Sequence, residues 1–261
     1  MADVIRIKTS EAEWRARVDL AACYRLVAHF GMSDLIYTHI TLRVPGGKDH
    51  FLINPFGSLF DEVTASMLVK IDVDGNVVDQ GAAHSLALRG KVNPAGFVVH
   101  SAIHMQATIN HCVLHTHSRA GMAVAALKHG LLPLNQKGLE FYNRIGYHDY
   151  QGLAFDNAER AGLARDLGPH QALILRNHGL LTVGDDCASA FARMYSLELA
   201  CRLQVDTLSM AAAAGQALVL PSAEVCEHAA RQFENYPEPP RTREWPHLLR
   251  LLDRVNPGYE G

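Results

Sequence analysis

The chain has 261 residues, with 24 Lys and Arg against 27 Asp and Glu and a formal net charge of −3. So even a balance gives no reason to expect nucleic acid or an anionic membrane as partner, and no apolar run approaches the roughly 18 residues of a membrane span. The unusual feature is its 15 histidines. The length fits one large domain or two small ones, and 48% hydrophobic with 20% charged residues is ordinary for a globular protein. The opening Met1-Ala2-Asp3-Val4-Ile5-Arg6 lacks the basic-then-apolar order of a signal peptide. Five cysteines (Cys23, Cys112, Cys187, Cys201, Cys226) are odd in number and form no CxxC. They read as small buried hydrophobes of a reducing compartment, so the expected location is the cytoplasm.

In chain order, Val18, Ala21, Ala22, Leu26 and Phe30 predict a helix over Glu11–Phe30, stopped by Gly31. Strand-like runs follow at Leu35–Val44, ended by Pro45-Gly46-Gly47, and at His50–Asn54, ended by Pro55-Phe56-Gly57. Val69–Val73 and Val77–Val78 flank Asp74-Gly75-Asn76, a hairpin signal. Residues 96–106 fit a helix with His100 and His104 on one face. Cys112–His117 reads as a strand, Arg119–Leu127 as a helix, Tyr142–Tyr150 as a strand and Asn157–Leu167 as a helix. Ala172–Leu175 and Leu180–Val183 are strands around the tight turn Arg176-Asn177-His178-Gly179, where glycine is expected to free the backbone. Asp185 or Asp186 then caps a long helix, Ala188–Ala214. Pro237, Pro239 and Pro240 predict an irregular tail over 236–261, packed on the 1–235 domain or on a neighbouring subunit. Hairpins without crossover helices indicate one α/β domain around a mostly antiparallel or mixed sheet. No GxGxxG follows a first strand, which argues against a parallel Rossmann-like sheet.

Chemistry concentrates at His115-Thr116-His117, after the apolar Val113-Leu114. Strand residues i and i+2 share a face, so the two imidazoles converge as half of a transition-metal site. Alone, the pair equally fits two surface histidines. His178, in a turn bracketed by apolar strands, can complete a three-histidine site with an open position, or can be an ordinary turn residue.

The segments Val113–Ser118 and Leu173–Leu180 resemble the two metal-binding signatures of the class II aldolase/adducin family. Further matches run in order at Ile36–Arg43 (IYTHITLR), Phe51–Gly57 (FLINPFG), Val63–Asp79 (VTASMLVKIDVDGNVVD) and Tyr147–Gly152 (YHDYQG), together spanning roughly residues 15 to 215. The wording is nearer the adducin head domain and its bacterial relatives than the sugar-phosphate aldolases. The resemblance implies a three-layer α/β/α domain with a central, mainly antiparallel sheet. It also implies a homotetramer with active sites at subunit interfaces and a small-molecule substrate. Its metal ligands fall on His115, His117 and His178. Zinc is the first choice by ligand type, with Fe(II), Mn(II) or Co(II) also suited.

The chain departs from the aldolases at their acid/base carboxylate, whose position is Gly96, and glycine cannot move a proton. Hydroxyl-bearing positions of their phosphate pocket fall on Phe56, Pro94 and Ala95, so a phosphorylated sugar is poorly served. His100, Tyr147 and Tyr150 are the candidates for proton transfer, with the tyrosines lying where relatives place one beside a neighbouring subunit's metal. Glu140 is a distant substitute base. His39, Arg43, Asn54, Gly57, Gly96 and His104 are the expected substrate contacts. The expected function is a metal-dependent lyase, cleaving or decarboxylating beside a carbonyl in a small non-phosphorylated hydroxy- or oxo-acid. A three-histidine non-haem iron oxygenase and a non-catalytic adducin-like interaction module are the alternatives. The second of these is disfavoured by the absence of a basic tail.

Overall fold

The computed structural model describes residues 7–46, 49–82, 91–93, 100–104, 111–152 and 159–261. Helix α1 (Glu11–His29) begins at Ser10, whose side chain accepts from Glu13 N. It is followed by β1 (His39–Arg43), β2 (His50–Ile53), a 3-10 turn (Phe60–Glu62), β3 (Val69–Asp72) and β4 (Val77–Asp79). Then come the helical residues 100–104 (α2), β5 (Cys112–Thr116), α3 (Arg119–Ala125), α4 (Gln136–Leu139) and β6 (Gly146–His148). The remaining elements are α5 (Glu159–Leu167), β7 (Ala172–Leu175), β8 (Gly179–Gly184), α6 (Cys187–Ala214), α7 (Ala223–Glu234), α8 (Pro240–Arg243) and α9 (Trp245–Val255).

The strands form one eight-stranded sheet in the order β4-β3-β2-β1-β5-β8-β7-β6. Every neighbouring pair is antiparallel except β6 and β7, which are parallel and joined through α5. β5, β7 and β8 are buried along their whole length, the continuous apolar runs expected of strands covered on both faces. On one face Leu114, Ile174 and Leu180 pack with Leu20, Leu26, Phe191 and Leu197 of α1 and α6. On the other, Val113, Leu173, Leu181 and Val183 pack with Ala102, Ile103 and Leu163 of α2 and α5. The architecture is therefore α/β with helices on both sides of a mainly antiparallel sheet.

Three expectations need correction. The strand foreseen over Leu35–Val44 begins only at His39, because Leu35 (φ 48) and Thr38 (φ 65) are left-handed and residues 34–37 close a turn. Tyr142–Tyr150 contains only the three-residue β6, since Asn143 (φ 56) interrupts it. The tail is helical, because Pro240 opens α8 and Pro246 lies in the first turn of α9, where the missing amide proton would have had no helical partner. Asn157, expected to start a helix, lies outside the described residues. α6 is capped by Asp186, which accepts from Ser189 N, and it ends at Gly215 (φ 60). Among the described residues no helix is long and apolar enough to cross a membrane.

The C-terminal helices close over α1. Trp245 Nε1 donates to Asp19 Oδ1 (3.1 Å), and Arg25 donates to the carbonyls of Asn256 (3.2 Å) and Pro257 (2.7 Å). Arg17, fully buried, holds the other side of α1. It donates to Glu13 Oε1 (3.1 Å), Leu68 O (2.7 Å) and Asp79 Oδ2 (3.0 Å). Truncation leaves the buried Glu13 carboxylate with Lys70 (2.8 Å) and strips two further acceptors. Arg17→Ala should therefore cost about 3–5 kcal/mol. At this chain length that lowers the melting temperature by roughly 10 °C in a thermal scan.

Candidate metal centre

β5 ends at Thr116 and the chain leaves the sheet at His117, so His115 and His117 project from one face. His178 reaches them from the turn between β7 and β8. The turn is pinned from both sides, Asn177 N donating to Ala125 O (3.2 Å) and Arg176 N to His148 O (2.8 Å). The three ring centroids lie 4.8 Å apart, pair by pair, and one nitrogen from each ring falls within 4.8 Å of the others. His117 Nε2 is 2.9 Å from His178 Nε2, and His117 Nδ1 is 3.0 Å from Asp34 Oδ2. His115 Nδ1 donates to Leu180 O (2.9 Å), which leaves Nε2 as the nitrogen with the lone pair.

Gly179 serves a purpose other than the expected one. The left-handed residue of the turn is Asn177 (φ 56), and asparagine tolerates that conformation. A Cβ on Gly179 would stand 2.3 Å from Thr116 O and 3.3 Å from both His115 Cε1 and His117 Cδ2. A side chain there would force β8 away from β5 where the two imidazoles emerge.

Burial first, then the neighbouring His178, His117 and His39, hold His115 well below the ordinary histidine value. His178 is pushed down to about 4, again by burial first and then by His117 and His148. Both rings are therefore neutral at pH 7 and offer lone pairs, the state that metal ligation needs. Three imidazole nitrogens converging from one side could hold a divalent transition ion. Imidazole donors are compatible with Zn(II), Fe(II), Mn(II) and Co(II) and do not choose among them.

Further imidazoles extend inward from the cluster. His39 is the cross-strand partner of His115, their rings 6.1 Å apart, and its ring lies 4.2 Å from that of His100. Thr41 Oγ1 is 2.7 Å from both His100 Nδ1 and His104 Nε2, so one hydroxyl ties both α2 histidines to β1. His100 Nε2 is buried without a hydrogen-bond partner among the described residues, and burial first, then His39, His104 and His115, hold the ring well below its ordinary value. His104 stacks on Phe51 at 4.3 Å.

The other expected site residues divide. The ring of Tyr150, half exposed, lies 6.2 Å from that of His178. Tyr147 does not reach the cluster: strand alternation turns it to the opposite face from His148. There it packs against the α1–α6 core and its hydroxyl accepts from Leu131 N (3.1 Å), with the Arg176 guanidinium 4.3 Å over its ring. Arg43 is also committed elsewhere, to His104 O (2.6 Å) and to Asp49. Asn54 is buried at the end of β2, its Oδ1 2.8 Å from the Tyr24 hydroxyl. Gly57 (φ 103) forms the turn after it. Glu140 faces Ser196, Lys137, Arg193 and Arg243, none of them in the cluster. Gly96, with Pro94 and Ala95, lies outside the described residues. Sequence reasoning missed Asp34, which is 83 positions from His117 and directly precedes the misread strand. It also missed Glu198, which accepts from Ser118 just after the histidine pair and takes Arg202 Nε at 2.7 Å.

The neutral rings give metal-free stability a defined pH dependence. Unfolded histidines take up protons near pH 6.5, whereas folded His178 refuses one until about pH 4, and His100 and His115 refuse likewise. This contribution is full above pH 6.5 and is lost as pH falls towards 4. The urea midpoint measured with chelator present should decline across that window, and a flat profile would contradict neutral rings.

The profile of the family described as Class II Aldolase and Adducin N-terminal domain matches residues 18–205. A Caulobacter vibrioides protein named for the class 2 aldolases is 47% identical over 97% of this chain and 94% of its own length. Rat alpha-adducin is 40% identical over 97% of this chain, which spans 35% of that protein. Among solved structures, an aldolase II superfamily protein from Pseudomonas syringae superposes with a TM-score of 0.89 at 44% identity, covering 99% of this chain and 100% of that one. L-fuculose 1-phosphate aldolase from Glaciozyma antarctica gives 0.79 at 28% identity, with 97% of each chain covered. Motifs, fold and relatives agree, and the chain belongs to the class II aldolase and adducin family.

Proposed function

We propose that the protein is a metal-dependent lyase that breaks a bond beside a carbonyl in a small, non-phosphorylated hydroxy- or oxo-acid. The observation that carries this reading is the convergence of His115, His117 and His178 at one end of the sheet, next to the half-exposed Tyr150. A divalent ion bound by these three residues supplies Lewis-acid polarisation of a substrate carbonyl. The protein's own contribution begins with rigidity. His115 is held by Leu180 O and the β5–β8 ladder, and His178 by the pinned turn. In the absence of a carboxylate at Gly96, this reading gives the Tyr150 hydroxyl the task of moving a proton at the substrate carbon, supported by its ring lying 6.2 Å from that of His178. His39, beside His115, gives the pocket a polar inner wall. Phe56 and Ala95, where the sugar-phosphate enzymes carry hydroxyls, support a substrate without phosphate.

Elemental analysis of protein purified without added metal should find about one divalent ion per chain. Turnover on a panel of hydroxy- and oxo-acids should stop with chelator and with His115→Ala, which also loses the ion. Oxygen uptake by an iron-loaded protein would instead favour an oxygenase. A second reading rests on the 40% identity to rat alpha-adducin, namely that the domain is a non-catalytic interaction module. Metal-replete protein inert across the panel would favour it.

Tyr150→Phe removes the proposed proton carrier and no ligand. It should lower kcat by about 10²–10⁴-fold in steady-state assays while metal content stays at the wild-type level. An unchanged kcat removes Tyr150 from the chemistry.

A further inference from the structure

We propose that Asp34 is a positioning residue for the metal centre, gripping the outer nitrogen of His117 so that the inner nitrogen faces the ion. The proposal rests on the reading of His115, His117 and His178 as ligands. The two nitrogens of an imidazole lie on opposite sides of the ring. His117 turns Nε2 to His178 Nε2 at 2.9 Å and Nδ1 to Asp34 Oδ2 at 3.0 Å. A carboxylate only accepts, so Nδ1 carries a proton and donates it, which leaves Nε2 as the nitrogen that can turn a lone pair to an ion. Because Oδ2 sits against the far side of the ring, Asp34 acts through His117 and not as a fourth ligand. It differs in kind from the partner of His115, a neutral backbone carbonyl. Among the described residues the cluster itself contains no carboxylate. Asp34 therefore places a negative charge one ring away from the ion, where it makes His117 a stronger donor.

The backbone around Asp34 is shaped for this contact. Met32, buried, is anchored by its N–H to Val27 O (3.0 Å), and β1 starts at His39. Between them Tyr37 N donates to Asp34 O (2.8 Å), closing a turn in which Leu35 (φ 48) and Thr38 (φ 65) are left-handed. Non-glycine residues rarely adopt that conformation, and such positions cluster at functional sites. Packing of the turn's own apolar side chains does not account for it, because Leu35 is 69% and Tyr37 49% exposed. What the turn does achieve is delivery of the Asp34 carboxylate to a histidine 83 positions away.

Asp34 is itself 40% exposed, so its pair with His117 adds little to folding in the absence of metal. That separates a positioning role from a structural one. Zn(II) affinity of the full chain would be measured by competition with a chromophoric chelator, alongside metal-free thermal scans. Asp34→Ala should bind Zn(II) about 10- to 100-fold more weakly than wild type. Asp34→Asn, which keeps an acceptor but loses the charge, should fall between, and all three proteins should melt alike without metal. Equal Zn(II) affinity in wild type and Asp34→Ala overturns the proposal and leaves the metal reading intact. A metal-free melting loss in Asp34→Ala that accounts for the weaker binding assigns the residue a structural role and also overturns it. Absence of Zn(II) binding by the wild-type protein overturns the metal reading, and this proposal with it.

Discussion

Strand β5 has no free face, and much of the molecule follows from that. It runs between β1 and β8 with a helical layer on each side, so all five of its residues are buried. His115 therefore gives up water whatever its role, and burial makes its charged form costly. A neutral ring with one nitrogen tied to Leu180 O and the other left as an acceptor is the low-energy outcome. The same condition explains the room kept around it. Gly179 carries no side chain because Thr116 O and two imidazoles already fill the volume a Cβ would need.

The candidate site is a cluster of imidazoles with the Asp34 carboxylate against one of its rings. His39, His100 and His104 continue inward from His115, and Thr41 ties the two α2 rings together through one hydroxyl. Burial and repulsion between rings both disfavour protonation of His100, His115 and His178. Asp34 stands at the outer edge of this cluster, on His117, the more exposed histidine of the His115–His117 pair. Three imidazoles that could hold a metal ion, one of them backed by a carboxylate, form a donor set that none of the histidines provides alone.

The family relationship is compatible with more than one use of this domain. The fold is shared with a sugar-phosphate aldolase of known structure and, at 40% identity, with part of alpha-adducin. Fold alone does not choose between them, because activity depends on which side chains surround the histidines. Tyr150 near His178, and Tyr147 turned away into the opposite core, are details of that kind. Tyr147 lies in the three-residue β6, where neighbours alternate faces, and Tyr150 lies just beyond its end.

The sequence by itself determined the parts governed by local periodicity and local spacing. The helical pattern of α1, the largely apolar runs of β5, β7 and β8, a helix cap at Asp185 or Asp186 and the one-faced His115–His117 pair are legible without coordinates, because each depends on residues within a few positions. The resemblance of short motifs then extended the pair to His178. Only tertiary structure decided the rest. Residues 35–38 read as the start of a strand, and Pro237, Pro239 and Pro240 read as a break, until packing and helix geometry overrule both. Asp34 and His117 are 83 positions apart, and Ser118 and Glu198 80. No local pattern encodes such pairs, because a hydrogen bond's partner is fixed by strand order and register, which the chain acquires only on folding.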